Sequence, residues 1–160
     1  YECTPDILVI GKGMASGLPV GAFVASNKIM STLQENPKLG HITTFGGNPV
    51  IAAASLATLQ ELTTTCLISE TLAKEKLFRS LLKHPLIVEI RGRGLLLALI
   101  MPNAEIANQV VLKCAERHLI LFWLLFEPKA VRVSPPLTIS LQEITHGCKL
   151  LLQVLTELEQ

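Results

Sequence analysis

A lysine with glycine on both sides is the residue of this chain best suited to covalent chemistry. Lys12 lies in Gly11-Lys12-Gly13, directly after the apolar run Ile7–Ile10. Ligands of open α/β sheets bind at the carboxyl ends of strands, and glycines let a ligand approach the backbone closely. A lysine amine that is partly desolvated or close to other cations loses its proton more readily, and it can then form a Schiff base with an aldehyde. A solvated loop lysine is the alternative that these residues leave open.

The same glycines also suggest nucleotide binding. Gly11, Gly13 and Gly17 follow a predicted strand, which is close to a dinucleotide fingerprint. The match is poor because Leu18-Pro19 interrupts the helix that the fingerprint requires, and residues 25–30 contain no acidic side chain. The chain has no G-K-[ST] sequence, which argues against a Walker A loop.

The composition narrows the class of protein. The 160 residues are 49% hydrophobic and 17% charged, which indicates a folded protein with a buried core. A formal net charge of +1 gives no electrostatic basis for binding nucleic acid or an anionic membrane. The apolar stretch 95–102 is far shorter than the roughly 20 residues that a membrane helix needs. We therefore expect neither a nucleic-acid partner nor a membrane partner.

The cysteines and histidines give no sign of a metal site or of disulfides. Neither residue type has ligand-like spacing, and no C-x-x-C pair occurs. The pattern is typical of reduced, mostly buried thiols in a cytosolic protein, so we predict a cytoplasmic location. The residues concerned are Cys3, Cys66, Cys114 and Cys148, with His41, His84, His118 and His146.

Two strands and a helix are predicted around Lys12. The run Ile7–Ile10 does not alternate with polar residues, which favours a strand covered on both faces, as in parallel sheets. A second strand is predicted over 20–25. Asn48 and Pro49 are favoured at the N-cap and at the first position of a helix, which predicts a helix over 50–62. The three threonines that follow disfavour helix and mark a domain boundary, giving domains 1–62 and 63–160.

The second predicted domain has the pattern of a compact α+β unit. A helix capped by Ser69 is expected to run to about residue 83, with Lys74 on its charged side and leucines on its apolar side. Strands are predicted over 86–90 and 95–101 around a hairpin, and near 119–122 and 130–133. Asn103 is predicted to cap another helix, and Phe122 and Trp123 are expected in the core. Ser140 and Glu143 form a capping box before a last helix, whose buried stripe is Ile144, Cys148, Leu151 and Leu155.

Four segments in this order resemble the motifs of class III aminotransferases, which depend on pyridoxal 5′-phosphate. Their spacing covers nearly the whole chain, so the resemblance is more specific than any one motif. The segments are Pro5-Asp6-Ile7 to Lys12 continuing through Gly17-Leu18-Pro19-Val20-Gly21-Ala22, then Thr43-Thr44-Phe45-Gly46-Gly47-Asn48-Pro49, Ile90-Arg91-Gly92-Arg93-Gly94-Leu95, and Val131-Arg132-Val133-Ser134-Pro135-Pro136-Leu137-Thr138-Ile139.

The resemblance implies a fold and residue roles. The fold would be that of the fold-type I transferases, with 1–62 as the last part of the large α/β domain and 63–160 as the small α+β domain. Lys12 would hold the cofactor as a Schiff base and shuttle the proton during transfer. Thr44 would bind the cofactor phosphate across a homodimer interface, and Arg132 would bind the substrate α-carboxylate. Arg91 and Arg93 are expected to order the hairpin.

The resemblance further implies transfer of an amino group from an acetylornithine- or ornithine-like donor to 2-oxoglutarate. It covers the carboxy-terminal half of the family's pattern. The aspartate that pairs with the pyridine nitrogen, the stacking aromatic residue and the phosphate loop would all precede Tyr1. We therefore expect this fragment alone to be inactive. Another class III ω-aminotransferase or an aminomutase is one alternative, and a non-catalytic remnant that serves as a binding or dimerisation module is another.

Overall fold

The structure is a computed structural model that describes residues 2–159. The chain divides into two compact units after Thr65. We call residues 2–65 the first unit and residues 66–159 the second unit. The sequence analysis placed the boundary after residue 62. The helix predicted over 50–62 extends two residues further, to Thr64, and Thr65 is its C-cap; the hydroxyls of Thr63 and Thr64 donate to carbonyl oxygens one turn back.

The first unit begins with an antiparallel hairpin. Strand β1 (Ile7–Ile10) pairs with β2 (Ala22–Ala25), and Ile7 lies opposite Ala25. Both strands were predicted; within residues 2–159, however, β1 pairs only with an antiparallel partner and its faces are not covered. Val9 is 78% exposed, and β2 is the only sheet partner of β1 within residues 2–159. An apolar run predicts that its side chains will be covered, but it does not predict which segment will cover them.

Two helices complete the first unit. Helix α1 (Asn27–Met30) is short and continues as a 3₁₀ turn over Ser31–Leu33. Helix α2 (Pro49–Thr64) begins as predicted, because the Asn48 Oδ1 atom accepts hydrogen bonds from the N–H groups of Val50 (3.0 Å) and Ile51 (3.3 Å). Its sequence is apolar on nearly every side, yet Ser55 is its only buried residue within the described chain.

The second unit packs three helices on one face of a four-stranded antiparallel sheet. The strands are β3 (Glu89–Arg93), β4 (Leu96–Ile100), β5 (Phe122–Leu124) and β6 (Glu127–Val133), in the spatial order β3-β4-β6-β5. The helices are α3 (Thr71–Leu81), α4 (Ala104–Glu116) and α5 (Leu141–Leu158). The core between sheet and helices includes Leu97, Leu99, Val131, Val133, Val110, Cys114, Ile144, Cys148, Leu151 and Leu155.

Local signals predicted most of this unit correctly. The side chain of Asn103 caps α4 by accepting a hydrogen bond from the N–H of Ile106 at 2.9 Å. The capping box forms, since Ser140 Oγ accepts from the Glu143 N–H and the Glu143 carboxylate accepts from the Ser140 N–H. The predicted stripe of α5 is buried. Ser69, however, does not cap α3; its hydroxyl donates to the Cys66 carbonyl, and Glu70 holds the N-cap position without a side-chain bond.

Lys74, expected on the charged side of α3, is buried instead. Its Nζ atom donates to the carbonyl oxygen of Leu137 at 2.8 Å and lies 3.1 Å from the Glu70 carboxylate. A buried ammonium must be paired and hydrogen-bonded, and these two contacts meet that requirement. Helix α3 is thereby joined to the loop that follows β6. Helical spacing gave no sign of this contact, because the partner carbonyl is 63 residues away in sequence.

The turn between β3 and β4 is ordered by α3. Arg79 donates to the carbonyl oxygens of Ile90 (2.7 Å) and Gly92 (2.9 Å), and it also bonds the Glu75 carboxylate. Glu75 in turn accepts from the Gly94 N–H at 2.6 Å. These bonds from Arg79 and Gly94 hold the pKa of Glu75 below its ordinary value. The expectation that Arg91 and Arg93 order the hairpin therefore needs correction, because Arg79 and Glu75 do so.

Candidate active site

Lys12 follows β1 and opens a tight turn. It is the first residue of a 3₁₀ turn, Lys12–Ala15, and has a φ of +52°, a conformation that L residues rarely adopt. Such a conformation costs about 1 kcal/mol or more, so it has to be maintained by the surrounding turn. A Cβ atom on Gly13 would meet no heavy atom within 4 Å, which leaves open space beside the lysine.

The turn that carries Lys12 is anchored on α2. Ala15 is 2% exposed, and the hydroxyls of Ser16 and Thr58 lie 2.9 Å apart in a hydrogen bond that joins turn and helix. The lysine thus extends from a fixed backbone. Its side chain is exposed, and the partly desolvated environment expected from the sequence is not provided by the first unit.

Thr44 lies in a second tight turn, which leads directly into α2. The N–H of Gly46 donates to the Thr43 carbonyl at 3.3 Å, and the N–H of Asn48 donates to the Phe45 carbonyl at 3.3 Å. A Cβ atom on Gly46 would lie 2.5 Å from the Thr43 hydroxyl oxygen, so a larger residue there would force the Thr43 side chain to move. Thr44 itself is exposed at its tip.

The turns of Lys12 and Thr44 border the same cavity in the first unit. It has a volume of about 540 Å³. Met14, two residues after Lys12, lines one side, and Thr43 and Phe45, which flank Thr44, line another. Ser55 also lines it; this residue is 7% exposed, and its hydroxyl has no hydrogen-bond partner within residues 2–159. The first unit therefore brings the two turns together, although neither Lys12 nor Thr44 lines the cavity itself.

Arg132 lies in the second unit, on the sheet face that the helices do not cover. Its neighbours Val131 and Val133 are buried in the core, and side chains alternate between the faces of a strand. The guanidinium lies 4.9 Å from the centre of the Phe122 ring, a cation–π distance. The Nε atom is buried without a hydrogen-bond partner among the described residues. Arg132 thus keeps a donor that a ligand carboxylate can use.

Phe122 and Trp123 do not lie in the core, contrary to expectation. Phe122 is 50% exposed beside Arg132, and Trp123 is 46% exposed and donates from Nε1 to Asn108 Oδ1 at 3.1 Å. Both belong to the short strand β5 at the sheet edge, where half of each ring is left uncovered. The aromatic residue types of Phe122 and Trp123 favoured burial. Their exposure follows from the position of β5 at the edge of the sheet.

A profile of the family described as Aminotransferase class-III matches residues 1–155. The chain belongs to the class III aminotransferases. This family depends on pyridoxal phosphate, and the chain shares the fold of fold-type I transferases.

Individual relatives agree with the family. The putrescine aminotransferase of Pectobacterium atrosepticum is 39% identical over 165 residues, covering 99% of this chain and 35% of the relative. The acetylornithine aminotransferase of Haemophilus ducreyi is 34% identical, covering 99% of this chain and 39% of the relative. The solved ornithine aminotransferase of Toxoplasma gondii, described with partial occupancy of PLP at its active site, superposes with a TM-score of 0.86 at 30% identity, over 99% of this chain and 38% of that one. This class III chain therefore spans about two-fifths of the length of these relatives.

The residues present fit part of a pyridoxal phosphate site. An exposed lysine with open space beside it is available to an aldehyde, and Thr44 offers a hydroxyl close to the N-terminus of α2, where the helix dipole favours an anion such as a phosphate. Arg132 has an unpaired donor for a carboxylate. The structure describes Lys12 and Thr44 in one unit and Arg132 in the other.

The two buried cysteines of this class III chain are poorly suited to nucleophilic chemistry. Burial raises the pKa of the Cys114 and Cys148 thiols to about 11, so both stay protonated and unreactive at neutral pH. Cys3 and Cys66, by contrast, are exposed. The prediction that most of the cysteines are buried is therefore correct for two of the four. Across residues 2–159, no cluster of three or more histidine, cysteine or acidic side chains could hold a metal ion. Nor is any helix in this range long and apolar enough to cross a bilayer.

Proposed function

We propose that this chain supplies the cofactor lysine and the substrate arginine of an enzyme that transfers an amino group to 2-oxoglutarate. The donor in this proposal is acetylornithine, ornithine or a close analogue. The observation that carries it is Lys12: a lysine in a strained, glycine-flanked turn at the end of β1, inside the segment that matches the family. Strain of this kind is maintained where function requires it.

Bound pyridoxal phosphate would supply an aldehyde for the lysine and an electron sink for the substrate. Lys12 would hold the cofactor through its Nζ atom. Its amine, when free, would accept the proton from the substrate carbon that bears the transferred amino group. The anchoring of its turn on α2 through Ser16 and Thr58 favours a fixed approach to that carbon. Thr44 would donate its hydroxyl and its N–H to the cofactor phosphate.

Arg132 would bind the α-carboxylate of the oxo-acid acceptor. A guanidinium binds a carboxylate through two parallel hydrogen bonds, which fixes its orientation as well as its position. The stacking of Arg132 on Phe122 restrains the guanidinium plane before substrate arrives. The unpaired Nε donor supports this role, because a buried donor without a partner is costly unless a ligand completes it.

A second candidate is another class III ω-aminotransferase. The relative described as a putrescine aminotransferase, at 39% identity, favours it. Putrescine is a diamine without a carboxylate, so Arg132 would then act mainly on the oxo-acid acceptor. Acetylornithine and ornithine each carry a carboxylate as well as a terminal amine, so the relative turnover of these donors and of putrescine distinguishes the candidates.

We further propose the place of this chain in the enzyme. The first unit would be the last part of the large domain, the second unit would be the small domain, and the enzyme would be a cytoplasmic homodimer. The exposed apolar strands of the first unit support the need for more polypeptide around Lys12. The isolated chain would then turn over slowly or not at all.

A donor assay tests the function. The chain is assayed alone, and also joined behind the amino-terminal three-fifths of a class III relative, with acetylornithine, ornithine or putrescine as donor and 2-oxoglutarate as acceptor. We expect activity only in the completed protein, highest with acetylornithine or ornithine, and its loss in Lys12→Ala. Robust turnover by the chain alone would refute the claim that it is incomplete. Preference for putrescine would select the second candidate.

A further inference from the structure

The loop between β6 and α5 follows Arg132 closely and has little backbone bonding of its own. We call residues 134–140 the β6–α5 loop. Pro135 and Pro136 have no N–H group to donate. Within residues 2–159, the only backbone–backbone hydrogen bond inside this loop runs from the Ile139 N–H to the Pro136 carbonyl oxygen, at 3.1 Å. The shape of the loop must therefore be fixed by contacts with other segments.

Two side-chain contacts anchor this loop. At its end, the capping box with Glu143 fixes Ser140 to the start of α5. At its middle, the Leu137 carbonyl oxygen accepts a hydrogen bond of 2.8 Å from the Nζ atom of Lys74. Lys74 belongs to α3, which packs against α5. The middle of the loop is thereby tied to a helix that is remote in sequence.

Stability alone does not explain a lysine at this position of α3. Lys74 is 6% exposed, and its acidic neighbour Glu70 has a side chain that is 52% exposed. Taking a cation out of water is costly, whereas a methionine of similar length fills such a space without that cost. Methionine, however, has no hydrogen to donate to a carbonyl oxygen. The hydrogen bond to the β6–α5 loop is therefore what the lysine adds at this position.

The β6–α5 loop and Arg132 line the same cavity of the second unit, which has a volume of about 370 Å³. The backbone of Arg132 is fixed by the sheet, because β6 pairs with a strand on each side. Its side chain contacts the Phe122 ring and lines the cavity together with Ser134, Pro135 and Pro136. A shift of the loop therefore changes the space that is available to the guanidinium group.

We propose that Lys74 is a positioning residue: its hydrogen bond to the Leu137 carbonyl fixes the β6–α5 loop, and the loop restrains the guanidinium group of Arg132. The consequence for catalysis rests on the proposed aminotransferase function, in which Arg132 binds the oxo-acid acceptor. Lys74 itself touches neither substrate nor cofactor. Its loss should therefore weaken binding of the oxo acid and leave the chemical step almost unchanged.

The first test is ¹⁵N NMR relaxation of the full chain without any ligand. In the wild type, the amides of Leu137 and Thr138 and the Nε–Hε group of Arg132 should have order parameters of about 0.85, as in rigid backbone. Lys74→Met should lower them to about 0.6 or less. The urea midpoint should change little, because methionine fills the same space and the released carbonyl can bond to water.

Two other variants of this region are matched controls. Lys76→Met makes the same substitution at an exposed position of α3. Glu70→Gln removes the carboxylate beside Lys74 but leaves the bond to the Leu137 carbonyl in place. Both should keep the order parameters of the wild type. Unchanged order at Arg132 in Lys74→Met would overturn the proposal. A loss of folding in Lys74→Met would also overturn it, because the lysine would then be needed for stability.

The second test uses steady-state kinetics of the completed protein. Lys74→Met should raise KM for 2-oxoglutarate about ten-fold and change kcat by less than about two-fold, whereas Lys76→Met should change neither. A fall in kcat with an unchanged KM would contradict a positioning role for Lys74. Absence of transamination in the completed wild type would count against the proposed function, while the relaxation measurement would still decide whether Lys74 restrains the loop and Arg132.

Discussion

The two units of this chain differ in how fully they cover their apolar residues. In the first unit, apolar side chains of both strands and of α2 are exposed, including Val9 at 78% and Val50 at 67%. In the second unit, helices and sheet enclose a continuous core in which Leu99 and Val110 are fully buried. The comparison teaches that the unit with Lys12 leaves most of its apolar side chains uncovered, whereas the unit with Arg132 encloses a core of its own.

The same leucine-to-alanine substitution, made once in each unit, should give the largest difference in the loss of stability. Leu99→Ala removes a fully buried side chain and should destabilise the second unit by about 2–5 kcal/mol. Leu8→Ala, at a side chain that is 48% exposed, should cost well under half as much. Denaturant unfolding, followed by Trp123 fluorescence for the second unit and by amide exchange for β1, measures both. Equal losses would mean that the first unit is as tightly packed as the second.

Loss of the contact between α3 and the hairpin should have the next largest effect. Glu75→Gln weakens bonds to Arg79 and Gly94 and should cost about 1–3 kcal/mol. Because the folded pKa of Glu75 is lowered, its contribution is full above the ordinary carboxyl pKa and is lost as the pH falls through the folded value. The variant should therefore lose less stability than wild type on acidification.

The control for this effect is Glu116→Gln, at an exposed position of α4. Urea midpoints at neutral and acidic pH compare the two variants with wild type. A pH dependence that is unchanged in Glu75→Gln would show that this carboxylate does not stabilise the turn.

Replacing the two asparagine N-caps should have a smaller effect on stability, and the two substitutions are closely matched. Asn48→Ala removes the cap of α2, and Asn103→Ala removes the cap of α4; each should cost about 1 kcal/mol of helix stability. In the complete second unit, the loss from Asn103→Ala should appear as a lower midpoint of cooperative unfolding. In the first unit, Asn48→Ala should instead speed amide exchange along α2. A cooperative midpoint shift from both variants would argue that the two units unfold together.

Local sequence signals were sufficient for much of the fold. The caps at Asn48, Asn103 and Ser140 depend on residues within three positions of each other, so the sequence predicted them correctly. The stripe of α5 follows from helical spacing, and the hairpin follows from the glycines of its turn. Each of these features is decided by neighbours along the chain.

Features decided by distant segments were not predictable in this way. Burial of Lys74 depends on a carbonyl 63 residues away, and exposure of Phe122 depends on the position of β5 at the edge of the sheet. The exposure of β1 is likewise decided by which other segments pack beside it, and not by its own residues. In the candidate site, Lys12, Thr44 and Arg132 were identified from their residue types and motifs. The contact of Arg132 with Phe122 was not, because it depends on the register of β5 and β6.

The proposed function depends most on Lys12, and reductive labelling tests the role of this residue directly. The chain is incubated with pyridoxal phosphate, reduced with borohydride and mapped by peptide mass spectrometry. We predict a stable adduct concentrated on Lys12, well above Lys28 and Lys38, which are exposed lysines of the same unit, and absent from that peptide in Lys12→Ala. Label spread evenly over the exposed lysines would contradict the account and favour a non-catalytic binding or dimerisation module.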